Sequence, residues 1–147
     1  MPRLRTPALQ DTVRLSADGL AKVLGDLEAR LLNAIWVLGE PVPARRVHDE
    51  IAAEHKVALL TVITVLNKLV RKGILRRAKR HDLFHYEARY TEAEFLAMAS
   101  QRVVEGIYAL GPEAVATSFV DVVARHDPAQ LAELGRLVRR RLREQEG

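Results

Sequence analysis

The run from Ala58 to Tyr86, ALLTVITVLNKLVRKGILRRAKRHDLFHY, constrains this chain more than any other. At about 100° per residue, Leu59, Val62, Val65, Leu66, Leu69 and Val70 fall on one apolar arc, which predicts an amphipathic helix over residues 58–72. Thr61, Thr64, Lys68, Arg71 and Lys72 form a separate polar arc, about 100° wide, that contains no acid. Gly73 suits the left-handed position that ends a helix. Two short strands are predicted next, Ile74–Lys79 and Leu83–Ala88, around a tight turn at Arg80-His81-Asp82.

Two further helices precede that run. Leu27, Leu31, Ala34, Ile35 and Leu38 recur at helical spacing after the acidic start Asp26-Leu27-Glu28, and Gly39 stops them. Trp36 continues that stripe and reads as core. Glu40-Pro41-Val42-Pro43 reads as an extended link, because proline disfavours helix in the residue before it. A second helix spans residues 44–54 with Val47 and Ile51 inward. Three helices followed by a hairpin give the order of a winged helix–turn–helix domain over residues 24–90. In that docking mode the third helix enters the DNA major groove. Residues 1–23 lack a sustained period, are broken by Pro2, Pro7 and Gly19, and are predicted to be a flexible N-terminal arm.

Residues 91–147 change character. Thr91 and Glu94 make a capping box before a stripe of Phe95, Leu96, Ala99, Val103, Ile107 and Leu110. A helix over residues 113–125 carries Val115, Phe119, Val122 and Val123. Asp127-Pro128-Ala129-Gln130 starts another, with Leu131, Leu134, Val138 and Leu142. Such helices are too few and short for a deep core, so their stripes call for a second copy. Phe95, Val103, Ile107, Phe119, Val122, Leu131, Leu134 and Val138 are the expected dimerisation contacts; the alternative is an intramolecular bundle. The fold class is therefore mainly α with a small β-hairpin, a winged helix–turn–helix domain followed by a C-terminal helical dimerisation domain over residues 91–147.

Charge sharpens the functional expectation. The net charge is only +4, but residues 24–90 hold twelve Lys/Arg against eight Asp/Glu, and residues 91–147 hold seven against nine. Between Glu54 and Asp82 there is no acid, while Lys56, Lys68, Arg71, Lys72, Arg76, Arg77, Lys79 and Arg80 all fall there. A local basic block on a near-neutral chain is the footprint of a surface that meets phosphates. An ordinary solvated face is the alternative from charge alone.

Other chemistry is absent. No cysteine is present, which excludes disulfides, thiolate metal sites and a cysteine nucleophile and fits a reducing cytoplasm. No apolar run approaches the ~20 residues that span a bilayer. His81 and His85 share a sheet face at a separation too wide for one metal, and His48, His55 and His126 are scattered. No metalloprotease, phosphate-loop or dinucleotide fingerprint appears, and Ser100 and Ser118 lie inside helices. Neither an enzyme nor a metal or cofactor is expected.

The run Thr61-Val62-Ile63-Thr64-Val65-Leu66-Asn67-Lys68-Leu69-Val70-Arg71-Lys72-Gly73 resembles the recognition helix of the penicillinase-repressor family, the BlaI/MecI/CopY winged-helix regulators. Leu24-Gly25-Asp26-Leu27-Glu28 and Trp36 resemble its first helix, and Tyr86 its wing aromatic. The resemblance implies a homodimeric repressor in which each winged helix reads half of a palindromic operator. It also implies a membrane-bound sensor whose signal leads to cleavage within the C-terminal helices at an Asn-Phe bond. This chain has Ser118-Phe119 at the candidate cleavage bond, which puts that route in doubt. Leu60 stands where the family often has a threonine, so a polar contact is lost or replaced by apolar contact with a thymine methyl. The wing tip has His81-Asp82 where the family often has Gly-Arg, and an acid there opposes phosphate.

The expectation is a cytoplasmic, sequence-specific repressor bound to double-stranded DNA as a homodimer. Thr61, Thr64, Lys68, Arg71 and Lys72 would sit in or beside the major groove, with Arg77, Lys79 and Arg80 on flanking phosphates. The competing readings are a winged helix used as a protein-interaction module and a ligand-sensing regulator.

Overall fold

A computed structural model describes Leu9 and residues 19–147, apart from the side chains of Ala21 and Lys22. The chain divides into two compact units, residues 1–103 and 104–147. No described helix is long and apolar enough to cross a membrane.

The first unit holds α1 (Asp26–Leu38), β1 (Val42–Pro43), α2 (Ala44–Ala52), α3 (Leu59–Arg71), β2 (Leu75–Arg80), β3 (Leu83–Ala88) and the start of α4 (Glu92–Tyr108). Its three strands form one antiparallel sheet in the order β1-β3-β2. Strand β1 was expected to be only an extended link. It pairs Val42 with Tyr86 and Pro43 with His85, and Val42 is buried. A two-residue edge strand containing a proline, which lacks an amide donor, leaves almost no periodic signal.

The core forms where the apolar stripes converge. Leu31, Leu32 and Ile35 of α1, Val47 and Ile51 of α2, and Val62, Leu66 and Leu69 of α3 are all buried. Burying a Val or Leu side chain contributes about 1.5–3 kcal/mol, so the face of α3 that points inward fixes the face that points outward. Leu20 and Val23 join this core from a 3₁₀ turn at Gly19–Lys22, and Leu9 packs partly buried against it. The predicted arm over residues 1–23 therefore contributes core residues at its end, and residues 1–8 and 10–18 lie outside the described residues.

The C-terminus of α3 is closed by two backbone bonds. Gly73 has φ +79°, its amide donates to the Val70 carbonyl at 3.0 Å, and the Ile74 amide donates to Leu69 at 3.0 Å. This is the paired-bond helix stop that a left-handed glycine allows, and it turns the chain sharply into β2. Trp36 of α1 reaches toward α4: its indole N–H donates to the Tyr90 carbonyl at 3.0 Å and its ring lies 5.8 Å from Phe95. Phe95 is fully buried there and belongs to the first unit's core. It has no surface to offer a second copy, which removes it from the expected dimerisation contacts. Its apolar stripe was read correctly, but spacing alone does not say which partner covers a stripe.

The second unit holds the end of α4, α5 (Pro112–His126) and α6 (Pro128–Glu146). Asp127 caps α6 as expected, its carboxylate accepting from the amides of Ala129 at 3.1 Å and Gln130 at 3.4 Å. Neither α5 nor α6 contains a buried residue. An open, mainly apolar groove of about 370 Å³ runs between them, lined by Phe119, Val122, Val123, Leu134 and Leu137.

Candidate nucleic-acid interface

Helices α2 and α3, joined by residues 53–58, make a helix–turn–helix, and β2 with β3 make the wing. The turn is pinned from α2, where His48 Nε2 lies 2.7 Å from the Val57 carbonyl that accepts from it. The first turn of α3 carries no acid and no side-chain cap, so its amide end stays electropositive.

Thr61, Thr64 and Arg71 are exposed on α3, and Leu60 beside them is 73% exposed. Thr64 is not a free donor: its hydroxyl donates to the Leu60 carbonyl at 3.0 Å, one turn back. Its methyl and its oxygen lone pairs remain for a ligand. The side chains of Arg71 and Arg80 have no hydrogen bond or ion pair with another described residue, and both are exposed.

The other cations of the predicted interface are partly engaged. Lys72 is only 20% exposed, and its ammonium lies 2.7 Å from Glu28 Oε2. Lys68 is half exposed and lies 3.7 Å from Glu28 Oε1. Glu28 is buried at the start of α1 and also accepts from the Gly25 amide at 3.3 Å. A buried carboxylate needs such partners, because its desolvation otherwise costs several kcal/mol. Lys72, expected in or beside the major groove, pairs its ammonium with Glu28 and so ties the end of α3 to the start of α1. The partners are 44 residues apart, which no local pattern reveals.

On the wing, β2 and β3 pair in register from Leu75↔Ala88 to Arg80↔Leu83. The connecting loop has two residues, His81 at φ +52° and Asp82 at φ +65°. Two positive φ values in a two-residue loop are the pattern of a type I′ hairpin turn, which matches the twist of the strands. Arg76 pairs with Glu87 at 3.1 Å. Arg77 stacks over the Phe84 ring at 4.2 Å and donates from Nη1 to Asn67 Oδ1 of α3 at 2.6 Å. The Lys79 ammonium lies 5.7 Å from the same ring. His81 is exposed at the turn, and His85 Nδ1 lies 3.2 Å from the Leu83 carbonyl.

Thus Thr61, Thr64, Lys68 and Arg71 share α3, Lys79 and Arg80 extend the basic surface along β2, and Lys72 and Arg77 are held by neighbouring elements. Sequence reasoning named Glu28 and Asn67 but missed their long-range partners. The only signal was a polar residue at the margin of each apolar stripe.

Among the expected dimerisation residues, Val103 packs partly buried against the first unit's core. Phe119, Val122 and Val138 are exposed in the second unit, and Ile107, Leu131 and Leu134 are half-buried. Ser118-Phe119 lies in the middle of α5.

Three helices, a short strand closing the sheet and a basic hairpin define a winged helix–turn–helix protein with a helical C-terminal unit. The chain belongs to the penicillinase repressor family, whose sequence profile matches residues 24–140. It is 31% identical over 74 residues to the transcriptional regulator BlaI of Mycobacterium tuberculosis, covering 50% of this chain and 54% of the relative. It is 22% identical over 98 residues to the methicillin resistance regulatory protein MecI of Staphylococcus aureus, covering 67% of this chain and 79% of that protein. The chain thus spans about half the length of the BlaI relatives it matches.

Proposed function

We propose that this chain is a sequence-specific, DNA-binding transcriptional repressor that acts in the cytoplasm as a homodimer on a palindromic operator. The observation that carries the reading is the acid-free, exposed arc of α3 continued by the exposed cations Lys79 and Arg80 of the wing. Family membership and the regulatory names of its relatives support it. Thr61, Thr64 and Leu60 are the side chains for base edges, with Leu60 suited to a thymine methyl. Arg71, Lys79 and Arg80 take phosphates, and Lys68 divides its charge between Glu28 and the nucleic acid.

The homodimer is supported by the open apolar faces of α5 and α6, with Phe119, Val122, Leu131, Leu134 and Val138 as contacts. Release by a membrane-bound sensor protease at Ser118-Phe119 would require α5 to open locally, because a peptide bond inside a helix is not extended for a protease. Another inducing signal fits this chain equally well.

The test separates reading from grip. Thr64→Ala is expected to cost roughly 1–2 kcal/mol on the operator with little change on random DNA. Arg80→Ala is expected to weaken both and to flatten the salt dependence by about one unit of slope. Equal losses for both variants on all sequences would contradict the assignment, and salt-independent or absent DNA binding would favour a protein-interaction module.

A further inference from the structure

We infer that Asn67 is a positioning residue that pins the wing to the recognition helix, with Arg77 as its strut rather than a phosphate contact. The inference rests on the reading of α3 and the wing as the DNA-binding surface.

Three observations carry it. Asn67 Oδ1 accepts from Arg77 Nη1 at 2.6 Å and from the Tyr86 hydroxyl at 2.8 Å. Arg77 and Tyr86 stand directly opposite each other on β2 and β3. A carbonyl oxygen has two lone pairs, so one atom of α3 uses both to hold both strands of the wing. Tyr86 is only 2% exposed, so losing Asn67 would leave a buried hydroxyl without its acceptor. The guanidinium of Arg77 is fixed from its other side by the Phe84 ring at 4.2 Å.

The chemistry of the pair also fixes the amide's orientation. Arginine only donates, so the atom of Asn67 facing Arg77 is the oxygen. An asparagine reading adenine uses oxygen and nitrogen together, and here the oxygen is already occupied. Asn67 is thereby excluded from that contact while it sets the angle at which the wing leaves α3. Lys79 and Arg80 lie further along the same strand, so their reach to phosphates is set from the recognition helix.

Tyr86→Phe is the sharpest probe, because it removes one donor at a residue too buried to meet DNA. The full chain is titrated with a duplex of the DNA immediately upstream of its own coding sequence and with a random duplex of equal length, across several salt concentrations. Tyr86→Phe is expected to weaken the upstream duplex about three- to tenfold, with random-duplex affinity and salt slope unchanged. Arg77→Ala should behave alike, and the double variant should lose less than the product of the two, since both act through Asn67. Wild-type affinity in Tyr86→Phe, fully additive losses, or a slope flattened by about one unit in Arg77→Ala would overturn the inference.

Amide exchange of the free protein supplies an arm that needs no DNA. Asn67→Ala should speed exchange in β2 and β3 while leaving α1 and α2 protected. Unchanged wing exchange overturns the inference by itself. If the wild-type chain fails to prefer the upstream duplex, the repressor reading falls, and the exchange result still decides the clamp.

Discussion

The two units of this chain solve the same problem differently. The winged unit buries its apolar stripes within itself: α1, α2, α3 and α4 all contribute buried side chains. In the second unit α5 and α6 carry equally regular stripes and bury nothing fully. Phe119, Val122, Leu137, Val138 and Leu142 stay exposed. On the proposed reading this unfinished apolar face is the dimer surface. The lesson is that helical periodicity states that a face will be covered, and only the packing states whether the chain covers it alone. On the proposed reading the winged unit's stability is its own property, whereas that of the second unit depends on the concentration of the chain.

Several substitutions would break or sharpen that contrast. The largest effect is expected from Leu66→Ala, which empties the centre of the α3 face. A loss of about 2–5 kcal/mol in unfolding free energy, independent of protein concentration, is expected from chemical denaturation followed by Trp36 fluorescence. Trp36 is the chain's single tryptophan and lies in the winged unit, so it reports on that unit. A concentration-dependent midpoint in that signal would blur the contrast.

A smaller loss is expected from Phe119→Glu, which places a charge on the α5 face. It should yield a monomer in sedimentation, retain the Trp36 signal, and lower operator affinity on the order of 10²-fold, because joined half-site binding is lost. Operator affinity that survives in a monomeric variant would show that dimerisation is not needed for binding.

The smallest effect concerns the start of α4. The backbone amide of Thr91 foremost, and its hydroxyl next, hold the Glu94 carboxyl below its ordinary value of 4.5. A carboxyl depressed in the folded state adds stability above its unfolded value, and that addition is lost as pH falls through the folded value. Glu94→Gln should therefore lower the melting temperature slightly at neutral pH and match the wild type well below pH 4.5. A difference that persists undiminished in acid would show that the charge is not responsible.

Much of this architecture was legible because its signals are local. The α3 arc, the glycine stop after it, the capping box at Thr91 and the Asp127 cap each occupy a few consecutive residues, and each lies where it was expected. What was not legible is long-range or has no period. Strand β1 is two residues long and gains its identity only from Tyr86 and His85. Lys72 and Arg77 share the pattern of their exposed basic neighbours, yet Lys72 pairs with Glu28, and Arg77 is held by Asn67 and Phe84. Leu20 and Val23 lie in a segment whose prolines and glycine hid any stripe, yet both are buried. In each case the deciding partner comes from another element.

The most direct test of the contrast is sedimentation equilibrium of the chain across a wide concentration range, with helical circular dichroism, to which both units contribute, followed beside Trp36 fluorescence, which reports on the winged unit. The account predicts a reversible dimer and a helical transition that moves to higher temperature with concentration, while the Trp36 transition stays fixed. A chain that remains monomeric throughout, with both transitions independent of concentration, would contradict it.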